Sequence, residues 1–164
     1  MDPFSKRLRD TVFIRLYTFW NIPLIWWIRP KVIEMGKART EIQVALNRRT
    51  RNHLKSMYFG ALAMGSELVV AAKAVQAIHE SQQKVDFVFK DFKIEFLKRA
   101  EDDVHFICDS GLEVENLVKK TIGTGERETQ TFTGYAVVPN KDPQEKVVTF
   151  EVTLSVKLKK KKSV

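Results

Sequence analysis

Between Met57 and Ala72 the chain carries a single charge, Glu67, and no proline. A carboxylate set among apolar and small residues loses hydration. That loss pushes its pKa up from the ordinary glutamate value unless a cation pairs with it. A base raised toward neutrality can take a proton from water as the water oxygen attacks a carbonyl carbon, an effect worth roughly 10²- to 10⁴-fold. The structural alternative is that Glu67 caps a backbone group or pairs with an arginine. Gly60 falls in the first turn of the same stretch. There helical N–H groups lack partners and the positive end of the dipole favours a developing oxyanion. Close packing is the other use of a glycine. Asn52 offers an amide that either orients a substrate or water, or shapes a turn. His53 has no nucleophile paired with it in sequence, and Tyr58 and Phe59 either pack or wall an apolar pocket. Arg48, Arg49, Arg51, Lys98 and Arg99 either meet phosphates or are ordinary solvated side chains.

Several chemistries are excluded by what is missing. No G-x-S-x-G elbow, phosphate-binding loop or dinucleotide fingerprint occurs. Cys108 is alone and the three histidines are dispersed, so neither a disulfide framework nor a metal site is expected. A reducing, cytoplasmic compartment is the natural location. Of the net charge of +8, five charges come from Lys157 and Lys159–Lys162. The remaining basic residues are scattered and the aromatic ones fall at core-like strand positions, which argues against nucleic-acid binding. The lysine run is a solvated end or a contact for an anionic ligand, carrier protein or membrane.

At 164 residues the chain is expected to be one domain burying roughly 70% of its unfolded surface. The apolar stretch is built from small residues (Gly60, Ala61, Ala63, Gly65, Ser66, Ala71, Ala72, Ala74) and is apolar nearly all round. It therefore reads as a buried rod, about 57–79, wrapped by a sheet. Its sixteen-residue apolar part spans about 24 Å, short for a bilayer. Ser56 is the expected N-cap.

Ahead of this rod, Asp2-Pro3 opens a basic helix in which Phe4, Leu8, Val12 and Leu16 recur every fourth residue. The segment Phe19–Ile28, with Trp20, Trp26 and Trp27, is interrupted by Pro23. It is either a lid on the core or a contact with a lipid surface. Residues 1–30 form this lid, 31–158 the main domain and 159–164 the basic tail. Alternation of period two gives strands at 32–35, 40–46, 85–98, 103–108, 127–138 and 148–158. A short helix begins at Ser110-Gly-Leu-Glu113, which has capping-box spacing. Hairpin connections make the sheet antiparallel and the class α+β.

An antiparallel sheet of about six strands around one long helix, with that helix after the second strand and an extra N-terminal helix, resembles the hotdog fold of acyl-CoA thioesterases. The segment from Arg51-Asn52 through Gly60-Ala61 to Glu67 is similar to the N…G-A…E/D segment of the phenylacetate-pathway-type branch. It resembles most a group known as an uncharacterised thioesterase-like domain. Ile22-Pro23, the run Phe92–Lys98 and the helix at Ser110 fit that group too. Tyr58-Phe59-Gly60 departs from the His-Gly-Gly that opens the helix in the best-characterised members.

The resemblance implies hydrolysis of an acyl-CoA or acyl-carrier thioester. Glu67 would act as base or water-positioner, the Gly60 N–H as oxyanion donor and Asn52 as an orienting group, with His53, Tyr58 and Phe59 near the substrate. It implies no cofactor beyond the coenzyme A of the substrate. It also implies a homodimer, or a tetramer made of two dimers, with the strand near Val85–Lys98 pairing across the two-fold and active sites between subunits. The departure at the helix start keeps a second reading open, a non-catalytic acyl-thioester or lipid-binding module associated with a membrane surface.

Overall fold

In the computed structural model, which describes residues 2–159, six strands form one antiparallel sheet around a long helix. The chain runs α1 (Pro3–Asn21), α2 (Pro23–Trp27), β1 (Lys31–Met35), β2 (Thr40–Val44), α3 (Phe59–Ser81) and β3 (Val85–Phe96). It continues as β4 (Val104–Cys108), α4 (Gly111–Thr124), β5 (Glu128–Val138) and β6 (Asp142–Leu158). The strand order β1-β2-β4-β5-β6-β3 leaves the sheet open, with β1 at one edge and β3 at the other. This is the hotdog arrangement. Most of the expected basic tail, from residue 160 onward, lies outside the described residues.

Alternation drives the sheet onto α3. Ile42 and Val44, Val104 and Phe106, Phe132 and Ala136, and Val148 through Val156 at every second position are all buried. The small residues of α3 let the sheet approach closely. A Cβ on Gly65 would stand 2.3 Å from the Phe106 ring, and Phe106 is fully buried. At 23 residues, α3 is about 34 Å long, so length alone would let it cross a bilayer. Its identity as a core rod rests instead on its burial against the sheet and α4.

Inside that rod sits a cation that apolar periodicity does not reveal. Lys73 is almost fully buried, with Nζ 3.6 Å from Glu115 Oε2 on α4 and 3.3 Å from Gln76 Oε1. Removing one partner of such a pair leaves an uncompensated buried charge. Glu115→Ala is therefore expected to lower stability by about 1–3 kcal/mol in urea denaturation, whereas Lys73→Met with Glu115→Leu together is expected to be near neutral.

Three local expectations are corrected. The long helix starts at Phe59 with Tyr58 as N-cap and no side-chain cap. Ser56 is instead buried and bonded to Asn52 within the preceding loop. Ser110 does precede α4, but its side chain makes no capping bond. The start of α4 is fixed by the Gly111 N–H donating to the Ala38 carbonyl in the β1–β2 turn, at 2.8 Å. Strand β6 begins at Asp142, six residues ahead of the expected 148–158, and so takes in Pro143.

Helix α1 begins as expected, with the Asp2 carboxylate accepting from Ser5 N–H. Its apolar stripe, however, faces away from the sheet, while Asp10, Thr11, Ile14 and Thr18 face inward. The inward polar groups explain this. Thr11 Oγ1 accepts from the Val32 N–H of β1 at 3.0 Å, and Thr18 Oγ1 donates to the Ile14 carbonyl. The Arg15 guanidinium donates to the Pro30 and Arg29 carbonyls. The helix is docked by hydrogen bonds on one side, leaving its large apolar side chains on the other.

Candidate active site

Glu67 projects from α3 into a groove of about 820 Å³ between α1–α2, α3 and β3. Phe13, Tyr17 and Ile25 form the helical wall, and Val85, Phe87 and Phe89 form the strand wall. Glu67, Ala71, Val75 and Ile78 line the floor along one face of α3. Among the described residues Glu67 has no hydrogen bond and no ion pair, and desolvation raises its carboxyl above the ordinary range. The floor spacing, three and four residues apart, is legible in the sequence. The neighbours His79 and Tyr17 were not singled out there, although His79 shares this face of α3 and packs on Phe13 with ring centroids 5.1 Å apart.

The raised pKa sets a stability signature. The folded state holds the Glu67 proton more tightly than the unfolded chain does. Its favourable contribution is therefore present below the unfolded pKa and is lost as pH rises through the folded one. Above that window the ionised carboxylate is a destabilising group. Glu67→Gln is expected to be more stable than wild type at pH 8 and to converge with it near pH 4, read from urea midpoints at each pH.

A second depression, of about 600 Å³, lies at the other end of α3. Here the structure brings together Asn52, His53, Tyr58 and Phe59 with Phe96, Lys98 and Arg99. Tyr58, Phe59 and Phe96 form a chain of rings, with centroids 4.7 Å and 6.2 Å apart. Asn52 holds its own loop: Oδ1 accepts from the N–H groups of Leu54 and Ser56, and Nδ2 donates to Ser56 Oγ at 3.1 Å. His53 is exposed. Lys98 pairs with Glu145 and Arg99 lies 3.9 Å from Glu101. Arg48 and Arg51 are exposed, and Arg49 stacks over Trp27.

Gly60 is the second residue of α3, and its N–H has no partner among the described residues. The Tyr58 ring lies against its Cα, where a Cβ would come within 2.5 Å of ring carbon Cε1. Seven residues separate Gly60 from Glu67, which puts them on the same face of α3 but about 10 Å apart along the axis. First-turn N–H groups point toward the helix N-terminus, away from Glu67. Within one chain the two groups therefore cannot meet at one carbonyl.

A titratable pair outside these depressions joins β2 to β4 on the outer face of the sheet. His105 Nδ1 lies 2.6 Å from Glu41 Oε1 and Arg39 is 3.1 Å from the other oxygen. The His105 contact holds Glu41 below the ordinary carboxylate range. It ties strands together.

The architecture and the groove beside the central helix define a hotdog-fold protein, and solved structures of that class superpose on it. A candidate thioesterase from Shewanella oneidensis matches with TM-score 0.75 at 12% identity, over 92% of this chain and 99% of that one. A thioesterase family protein from Silicibacter pomeroyi gives 0.66 at 14%, over 91% and 99%. The PaaI protein from the phenylacetic acid degradation operon of Escherichia coli gives 0.58 at 12%, over 93% and 95%. The chain belongs to the family described as domain of unknown function DUF4442, whose model matches residues 11–159. No curated protein matches it in sequence.

Proposed function

We propose that this protein hydrolyses an acyl thioester of coenzyme A or of an acyl carrier, at sites built between the two subunits of a homodimer. The observation that carries this reading is Glu67, an unpartnered carboxylate raised by burial and facing a largely apolar groove. As base it would take a proton from water, whose oxygen adds to the thioester carbonyl. The resulting oxyanion needs a donor, and the free Gly60 N–H at the positive end of α3 supplies one. Collapse of the oxyanion breaks the C–S bond, and the proton taken by Glu67 passes to the departing thiolate, leaving the free acid and the thiol. Because these groups diverge within a chain, the base of one subunit must serve with the donor of the other.

The fold offers a way to bring them together. Strand β3 is an edge of the sheet, with no neighbouring strand on its outer side among the described residues. Its two ends flank the two depressions. Antiparallel pairing of two β3 strands would turn the groove of one subunit toward the helix start of the other. The ring cluster and the basic side chains of Lys98 and Arg99 then suit the adenine and phosphates of coenzyme A, and the Glu67 groove suits the acyl chain. Asn52 contributes by shaping the loop before α3. The test is a panel of acyl-CoAs of graded chain length with free thiol as readout. Turnover of at least one member that Glu67→Ala loses supports the reading, and full activity in Glu67→Ala removes this base.

The opening Tyr58-Phe59-Gly60 of α3 favours one second reading, a module that binds acyl thioesters or lipids without cleaving them. Saturable binding of acyl-CoA with no thiol release across the panel would support that reading instead.

A further inference from the structure

The apolar stripe of α1 is the largest feature the hydrolytic reading leaves unused. Phe4, Leu8, Val12 and Leu16 are about half exposed or more, Phe4 reaching 74% and Trp20 79%. The stripe continues into α2 through Leu24 and Trp27. A helix of a soluble protein normally turns such a stripe inward. Here the opposite face is committed to β1 by the Thr11 hydrogen bond and to the segment just before β1 by those of Arg15, so the exposed stripe cannot be satisfied by rolling the helix.

Charge identifies what covers it. Residues 2–31 contain six lysines and arginines against Asp2 and Asp10. Lys6 and Arg15 bond backbone carbonyls of Met35, Arg29 and Pro30, and Arg9 pairs with the buried Asp10, which leaves Arg7, Arg29 and Lys31 as the further exposed cations of this segment. The Arg49 guanidinium lies 5.7 Å over the Trp27 ring. Exposed apolar and tryptophan side chains flanked by cations are the signature of a helix lying in the interfacial plane of an anionic bilayer. A second copy would bring the same positive charge and is disfavoured by repulsion.

We infer that α1 and α2 form a docking face that seats the protein on an anionic lipid surface. The inner sides of the same helices (Phe13, Tyr17, Ile25) wall the Glu67 groove, so docking places the mouth of that groove at the depth where acyl chains begin. The inference concerns binding only and stands apart from the hydrolytic reading.

Trp20, Trp26 and Trp27 are the only tryptophans in the chain, so intrinsic emission reports this segment alone. The experiment titrates the full chain with phosphatidylcholine vesicles, alone or mixed with phosphatidylglycerol, and follows tryptophan emission and co-sedimentation. Expected is a blue shift and recovery with the anionic vesicles, weakened by salt. The exposed double substitution L8E/L16E should cut lipid affinity about ten-fold or more, while its far-ultraviolet circular dichroism matches wild type. Glu67→Gln should bind lipid like wild type whatever its effect on turnover, which separates this inference from the catalytic one. Absence of binding, equal binding to neutral vesicles, or unchanged binding by L8E/L16E would each overturn it. So would a change of oligomeric state in L8E/L16E without any recovery on vesicles, which would make the face an interface between copies.

Discussion

Glu67→Gln is expected to lower thioester turnover by roughly 10²- to 10⁴-fold, the range supplied by a positioned general base. The amide keeps the shape of the carboxylate and removes only its basicity, so kcat should fall while KM moves little. Because burial raises the Glu67 carboxyl, the wild-type rate should climb with pH through a midpoint above the ordinary glutamate range. That limb should vanish in Glu67→Gln. A substitution that instead raised KM with kcat intact would mean that Glu67 binds substrate in ground and transition states alike. The same side chain limits stability above its folded pKa, so the basicity proposed for it and its cost to the fold have one physical origin: a charge kept partly out of water without a partner.

Phe106→Ala is expected to destabilise the protein by about 3–5 kcal/mol, the usual cost of emptying a fully buried aromatic site. Phe106 projects from β4 onto Gly65 of α3, where an added Cβ would stand 2.3 Å from its ring. The complementary change, Gly65→Ala, should cost about 1–3 kcal/mol by overpacking, outweighing the gain of about 1 kcal/mol in helix propensity. Equilibrium denaturation of both variants checks the pair. A stabilising Gly65→Ala would show that α3 can shift away from the sheet. Because the same helix displays Gly60 and Glu67, such a shift would also disturb the site.

The periodicity of the chain made the architecture legible. The run of small residues from Gly60 to Ala74 could be satisfied only by close neighbours on most sides, and six period-two segments supplied them as hairpin partners. Candidate residues were legible by chemistry but not by placement. One charge in an apolar run pointed to Glu67, whereas nothing in the sequence shows that Asn52 binds its amide into its own loop. Nor does it show that Glu67 and the Asn52–Phe59 group line different depressions. Periodicity also cannot say which way a helix faces. In α1 the fourfold repeat of Phe4, Leu8, Val12 and Leu16 was clear, but the inward face was chosen by Thr11 and Arg15, whose partners lie on β1 and in the turn before it. At Ser110 the capping spacing was present, yet contact of Gly111 with the β1–β2 turn decided how α4 begins.

The most direct measurement mixes two inactive variants. Glu67→Gln removes the base. Gly60→Pro removes the donor N–H in the first turn, where no intrahelical bond is lost, and requires the exposed Tyr58 ring to swing off the Gly60 Cα. If each site takes Glu67 from one subunit and the Gly60 N–H from the other, a mixed dimer carries one intact site and one doubly altered site. Refolding the two variants together in equal amounts should then restore about a quarter of wild-type activity in free-thiol release. A mixture no more active than its components would contradict a site shared between subunits.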